Sequence, residues 1–121
     1  MTFVSFDTAR TVAWIPSVDV HELADRYVVR ADLPGVIPDD IEITAEAGVL
    51  TIKGERKPGT VQTDGSYQRV ERVAGNFVRR FTLPEAAQTD AIKATHVNGV
   101  LELSIPKQVK PEARRIKVEA A

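Results

Sequence analysis

The sequence predicts an all-β domain, a sandwich or a partly open barrel. Three observations carry this: short runs that alternate apolar and polar residues, their regular spacing, and the Gly and Pro signals between them. The clearest run is "IKATHVNGVLELSIPK", Ile92 to Lys107, where Asn98-Gly99 between two alternating stretches marks a two-residue hairpin. That turn sets Val97 opposite Val100, His96 opposite Leu101, Thr95 opposite Glu102, Ala94 opposite Leu103, Lys93 opposite Ser104 and Ile92 opposite Ile105. Residues opposite each other share a face. One face collects Ile92, Ala94, His96, Leu101, Leu103 and Ile105, and the other Lys93, Thr95, Glu102 and Ser104. The register is self-consistent.

The other elements follow in chain order. "SVDVHE" puts Val18 and Val20 on one side, Asp19 and His21 on the other. "RYVVRADLPG" places Tyr27, Val29, Ala31 and Leu33 on one face, with Val28, Arg30 and Asp32 opposite, and stops at Pro34-Gly35. "DIEITAEAGVLTIKGER" gives Ile41 and Ile43, a turn around Glu46-Ala47-Gly48, then Leu50 and Ile52. "GNFVRRFTLP" brings Phe77, Phe81 and Leu83 into step and ends at Pro84. "PEAAQTDAIKA" has room for one helical turn. Antiparallel neighbours with one wet face account for the alternation.

A chain of 121 residues is one domain's worth, enough to bury roughly two thirds of its unfolded surface in a single core. Sixteen Lys and Arg balance seventeen Asp and Glu, so no global basic field exists to gather nucleic acid or anionic lipid. The absence of cysteine removes disulfides, thiolate nucleophiles and Cys-rich zinc sites together. The N-terminus lacks the basic and apolar regions of a signal peptide, and no apolar run is long enough for a membrane span. The expectation is a soluble, cytoplasmic protein.

Two segments do not fit a self-contained sandwich. Residues 55–74 make a long loop, uncommon in a compact domain unless it has a function. Within it "YQRVER", Tyr67 to Arg72, has the composition of a strand, and a strand on a tether can pair with its own sheet or with another chain's. The second is the tail, residues 108–121. "KQVKPEARR" reads as an extended linker, and beyond it Ile116 and Val118 of "IKV" point the same way when extended. They suit anchoring on a sheet edge or groove by strand addition. Residues 1–13 carry scattered apolar side chains, including Phe3 and Phe6, and with Trp14 suggest an arm that contacts unfolded chains or other subunits. A frayed terminus is the simpler alternative.

No catalytic constellation is present. His21 lies on the polar side of its strand and His96 on the apolar side, without metal-ligand spacing. Neither "GERKPG" nor "QTDGS" has the order of a phosphate loop, and no serine sits in a G-x-S-x-G elbow. No enzyme activity, cofactor or metal is expected. Arg79 falls in step with Phe77 and Phe81 on the apolar face, where a guanidinium needs a partner. Two readings stay open: an ion pair at a subunit interface, or a side chain that snorkels to the sheet rim.

Taken in order, "ADLPGV", "GVLTIKGER", "YQRVER" before "GNFVRRFTLP", "ATHVNGVLELSIPK" and the terminal "IKV" resemble the small heat-shock proteins and their α-crystallin domain, of the bacterial and plant type. The likeness runs from about Trp14 to Val118. It implies an immunoglobulin-like antiparallel β-sandwich over residues 14–107, with arms at both ends. It implies dimers formed by exchange of the loop strand Tyr67, Gln68, Arg69, Val70 and Glu71, with Arg79 near the dimer interface. It also implies higher oligomers in which Ile116 and Val118 dock into a neighbour's groove, lined here by Ile41, Ile43, Ile92 and Ala94. The implied function is ATP-independent holding of partly unfolded clients, which ATP-dependent chaperones later refold. Neither nucleic acid nor membrane is an expected partner. The segment before Trp14 is short for this family. Two rivals remain: a monomeric adaptor on a similar sandwich, and an enzyme on such a scaffold, which would need a polar site the sequence does not offer. Mass in solution separates the adaptor from the holdase.

Overall fold

The computed structural model describes residues 4–5, 13–58, 65–108 and 116–120. Among the described residues eight strands form: β1 (Val4–Ser5), β2 (Val18–Glu22), β3 (Arg26–Asp32), β4 (Ile41–Glu46), β5 (Val49–Arg56), β6 (Gly75–Thr82), β7 (Lys93–Val97) and β8 (Val100–Pro106). They make two four-stranded antiparallel sheets, in the order β1-β6-β5-β4 and β2-β3-β8-β7. The architecture is the sandwich that period-two alternation predicts. Two short 3-10 turns, Pro38–Asp40 and Thr89–Ala91, are the helical structure among the described residues, the second inside "PEAAQTDAIKA".

One core lies between the sheets, because each inner strand sends alternate side chains inward. Tyr27, Val29, Ala31 and Leu33 enter from β3 and its end, Leu50 and Ile52 from β5, Phe77 and Phe81 from β6, and Leu101, Leu103 and Ile105 from β8. These are the faces expected from the sequence. Val28 is the exception: assigned to the wet face, it is buried at 2% exposure yet lies outside the core cluster. It sits on a central strand opposite His21 on one side and Ser104 on the other, and such cross-strand neighbours can cover a small β-branched side chain.

The hairpin of β7 and β8 has the expected register, from Val97 opposite Val100 to Lys93 opposite Ser104. The sixth pair does not form. Ile92 precedes β7 at the end of the 3-10 turn and packs against the margin of the core. Asn98 and Gly99 take φ of 54° and 77°, as a two-residue turn matched to strand twist requires. Ala47 and Gly48 repeat that geometry between β4 and β5, with φ of 51° and 76°. Alanine has no side chain that compensates a left-handed backbone, so Ala47→Gly is expected to stabilise the domain by about 0.5–1 kcal/mol, read as a higher urea midpoint at constant slope.

Past β8 the chain is held through Gln108. Lys107 bridges to Ala87, its amide donates to the Asp25 carbonyl at 2.9 Å, and the Gln108 amide donates to Ala86 at 2.6 Å. The Lys107 ammonium lies 2.8 Å from the Glu22 carboxylate and 5.1 Å from the Tyr27 ring centroid. That hydrogen bond first, and the charge behind it second, hold the Glu22 carboxyl below the ordinary carboxylate range.

Candidate functional site

Two four-stranded sheets have four end strands, and an end strand carries unpaired backbone groups that another chain can meet. β4 and β7 end one sheet each. On β4, Ile41, Ile43 and Ala45 are half-buried and alternate with exposed Glu42, Thr44 and Glu46. Ile41, Ile43, Ala45 and Ile92 all pack against the margin of the one core. Ala94 is exposed on β7. Of the groove residues expected from the sequence, the structure therefore brings three to the rim of the same cluster and leaves Ala94 open. Ala45 lies on the same side of β4, in step with Ile41 and Ile43. His96 shares this rim, its Nε2 3.3 Å from the Leu33 carbonyl oxygen.

Residues 65–74 form no strand within the single chain. Tyr67 and Val70 are 67% and 74% exposed, and Arg69 pairs with Glu71 at 3.4 Å inside the segment, two positions apart as on one side of an extended chain. Gln68 donates to the Ser66 hydroxyl. The tail anchors are barer still, with Ile116 at 82% and Val118 at 90% exposure. Phe3 and Phe6 lie outside the described residues, whereas Trp14 is seated on the sandwich. Its ring centroid is 5.1 Å from that of Phe77, and its indole N–H donates to the Gly75 carbonyl at 3.1 Å.

Arg79 stands opposite Ile52 on the core-facing side of β6 and is half-buried. One Nη donates to the Pro16 carbonyl at 2.8 Å, and the guanidinium lies 5.0 Å from the Phe81 ring centroid. A main-chain oxygen and an aromatic face thus meet part of the charge within one chain. Arg56 repeats the pattern at the end of β5, where its guanidinium faces Trp14, Val73 and Pro34. It follows Leu50, Ile52 and Gly54 in step. Parity alone does not single it out as it did Arg79, because Gly54 interrupts the apolar run before it.

Among the described residues no cluster of His, Asp and Glu is arranged to hold a metal ion, and no helix is long and apolar enough to cross a membrane. The features that stand out are open strand edges and uncovered apolar side chains.

Residues 19–119 match the model of the Hsp20/alpha crystallin family. The chain is 40% identical over 119 residues to an 18.1 kDa class I heat shock protein of Arabidopsis thaliana, covering 94% of this chain and 74% of that protein. A spore protein, SP21, of Stigmatella aurantiaca is 36% identical over 109 residues, covering 90% of this chain and 64% of its own. Among solved structures, a small heat-shock protein from Xylella fastidiosa superposes with a TM-score of 0.77 at 44% identity, covering 89% of this chain and 99% of that one. Heat shock protein 16.0 of Schizosaccharomyces pombe gives 0.76 at 33% identity, covering 93% and 81%. With the two-sheet sandwich already in place, these likenesses settle the family: the chain belongs to the Hsp20/alpha crystallin family, the small heat-shock chaperones.

Proposed function

We propose that this chain is an ATP-independent holdase that binds partly unfolded proteins and keeps them from aggregating. The observation that carries the reading is the set of large apolar side chains the domain does not cover: Tyr67 and Val70 on the loop, Ile116 and Val118 on the tail. Such groups are a solubility liability for a solitary domain and an asset for one that assembles and captures other chains. In this reading the loop segment Tyr67 to Glu71 pairs with the open edge of a partner's β2, giving a homodimer. The tail pair then docks between the β4 and β7 edges of a neighbouring dimer, building a higher oligomer. Both are strand additions, in which backbone bonds supply affinity and alternate side chains supply specificity. An edge capped by a tail becomes available when the tail leaves. Clients pass to ATP-dependent chaperones for refolding. The working compartment is the cytoplasm, and neither nucleic acid nor membrane is a partner.

The test is light scattering of a heat-destabilised protein, with increasing amounts of this chain and no nucleotide. Suppression near stoichiometric ratios is the expected result. Undiminished scattering, with this chain in excess and still folded, would move the reading to an adaptor that binds one folded partner. A monomeric mass would favour the same alternative.

A further inference from the structure

Arg56 gathers three distant parts of the chain on one side chain. Its Nε and one Nη donate to the Val73 carbonyl at 2.8 and 2.5 Å, and its other Nη donates to the Pro34 carbonyl at 3.1 Å. Its guanidinium carbon lies 4.0 Å from the centroid of the Trp14 ring. Trp14 reaches the same limb of the loop from the other side, through its indole bond to the Gly75 carbonyl, and the Ala13 amide donates to the Asn76 carbonyl at 2.9 Å. Gly75 permits this approach: a Cβ there would stand 2.7 Å from that of Ala13, and its φ is +120°. Residues 13–14 and 73–76 are thereby one bonded unit, with Arg56 at its centre.

Beside this base, Tyr67 and Val70 line a cavity of about 540 Å³ together with Lys57 and Pro58, and Arg72 reaches Gly35, its guanidinium 3.5 Å from where a Cβ would stand. The Arg56 guanidinium suits its place because its planar fork can bond two carbonyls while its face stacks on an aromatic ring. A lysine keeps the charge and loses the fork.

We propose that Arg56 is a positioning residue that latches the N-terminal segment to the returning limb of the loop, so that displacing Trp14 frees the loop and drawing the loop outward loosens Trp14. Coupling of this kind is reciprocal by thermodynamic necessity. Its consequence for assembly rests on the strand-exchange reading above. The coupling itself does not.

The experiment is a double-mutant cycle in the full chain: Arg56→Lys, Trp14→Leu and both together, read by hydrogen exchange of amides 65–76. Each single change is expected to speed exchange there about five- to tenfold, and the pair no more than the larger single, because both break one unit. Trp14 is the only tryptophan, so in Arg56→Lys its fluorescence is expected to become correspondingly easier to quench. Trp14→Phe keeps a ring and loses the indole donor, and should fall between parent and Trp14→Leu. Arg30→Lys, at an exposed pair with Glu102, should leave the loop amides unchanged. If Trp14→Leu leaves them at the parent rate, or if the two changes simply add, the latch is overturned. A monomeric parent would remove the strand-exchange reading, and the local exchange rates would still decide the latch. In a dimeric parent, Arg56→Lys is also expected to speed subunit exchange.

Discussion

Gly54→Ala is expected to cost the domain at least about 3 kcal/mol, a drop of roughly 10 °C in the unfolding midpoint. Gly54 stands opposite Ile41 in the pairing of β4 with β5. A Cβ there would run into the Asp40 carbonyl oxygen, and would lie 2.8 Å from Cζ of Phe77. The first obstacle is backbone, held by the 3-10 turn Pro38–Asp40. The second is a fully buried ring lying against Trp14. Gly48→Ala is the control. At Gly48 a Cβ meets nothing within 4 Å, so only its left-handed backbone opposes the change, at a cost of about 1 kcal/mol. Equal midpoints for the two variants would mean that the β4 edge yields to the added methyl, and the steric argument would fail. Because β4 forms one wall of the proposed docking groove, Gly54→Ala is also expected to weaken tail capture in whatever fraction remains folded.

The largest expected effect on assembly comes from Ile116→Ala combined with Val118→Ala. Both side chains are almost fully exposed in the single chain, so their removal should leave the urea midpoint unchanged. Burying two such side chains in a neighbour's groove is worth roughly 3–6 kcal/mol before ordering costs, which makes a single docking weak and reversible. Many copies acting together convert that weak contact into a stable oligomer. The double variant is therefore expected to elute as a dimer with its fold intact, measured by multi-angle light scattering after size-exclusion chromatography. Unchanged mass, starting from a parent larger than a dimer, would rule out the anchor role.

Much of this was legible in the sequence, and particular residues show why. The β7–β8 register was readable because the turn Asn98-Gly99 and the two-residue period are local properties of the chain. The same period placed Arg79 among apolar neighbours before any contact was visible. It did not extend to Arg56, because the run of apolar side chains stops at Ile52 and Gly54 intervenes. β1 escaped notice because two residues cannot display a period. "YQRVER" has the composition of a strand but forms none in one chain, since a strand requires an edge to pair with and composition does not supply one.

The sequence by itself determined which side chains the inner strands β3, β5, β6 and β8 turn inward, where the chain reverses at its hairpins, and that the loop and tail carry apolar side chains the core leaves uncovered. Each follows from alternation, turn chemistry or the lack of both, over a few neighbouring residues. Only the tertiary structure decided which atoms satisfy the two inward-facing arginines. Arg79 finds Pro16, 63 positions away, Arg56 finds Val73, 17 positions away, and beside it Trp14 finds Gly75, 61 positions away. Those meetings depend on how two sheets stack and where a loop returns. No local pattern encodes that geometry, and it is what joins the N-terminal segment to the base of the loop.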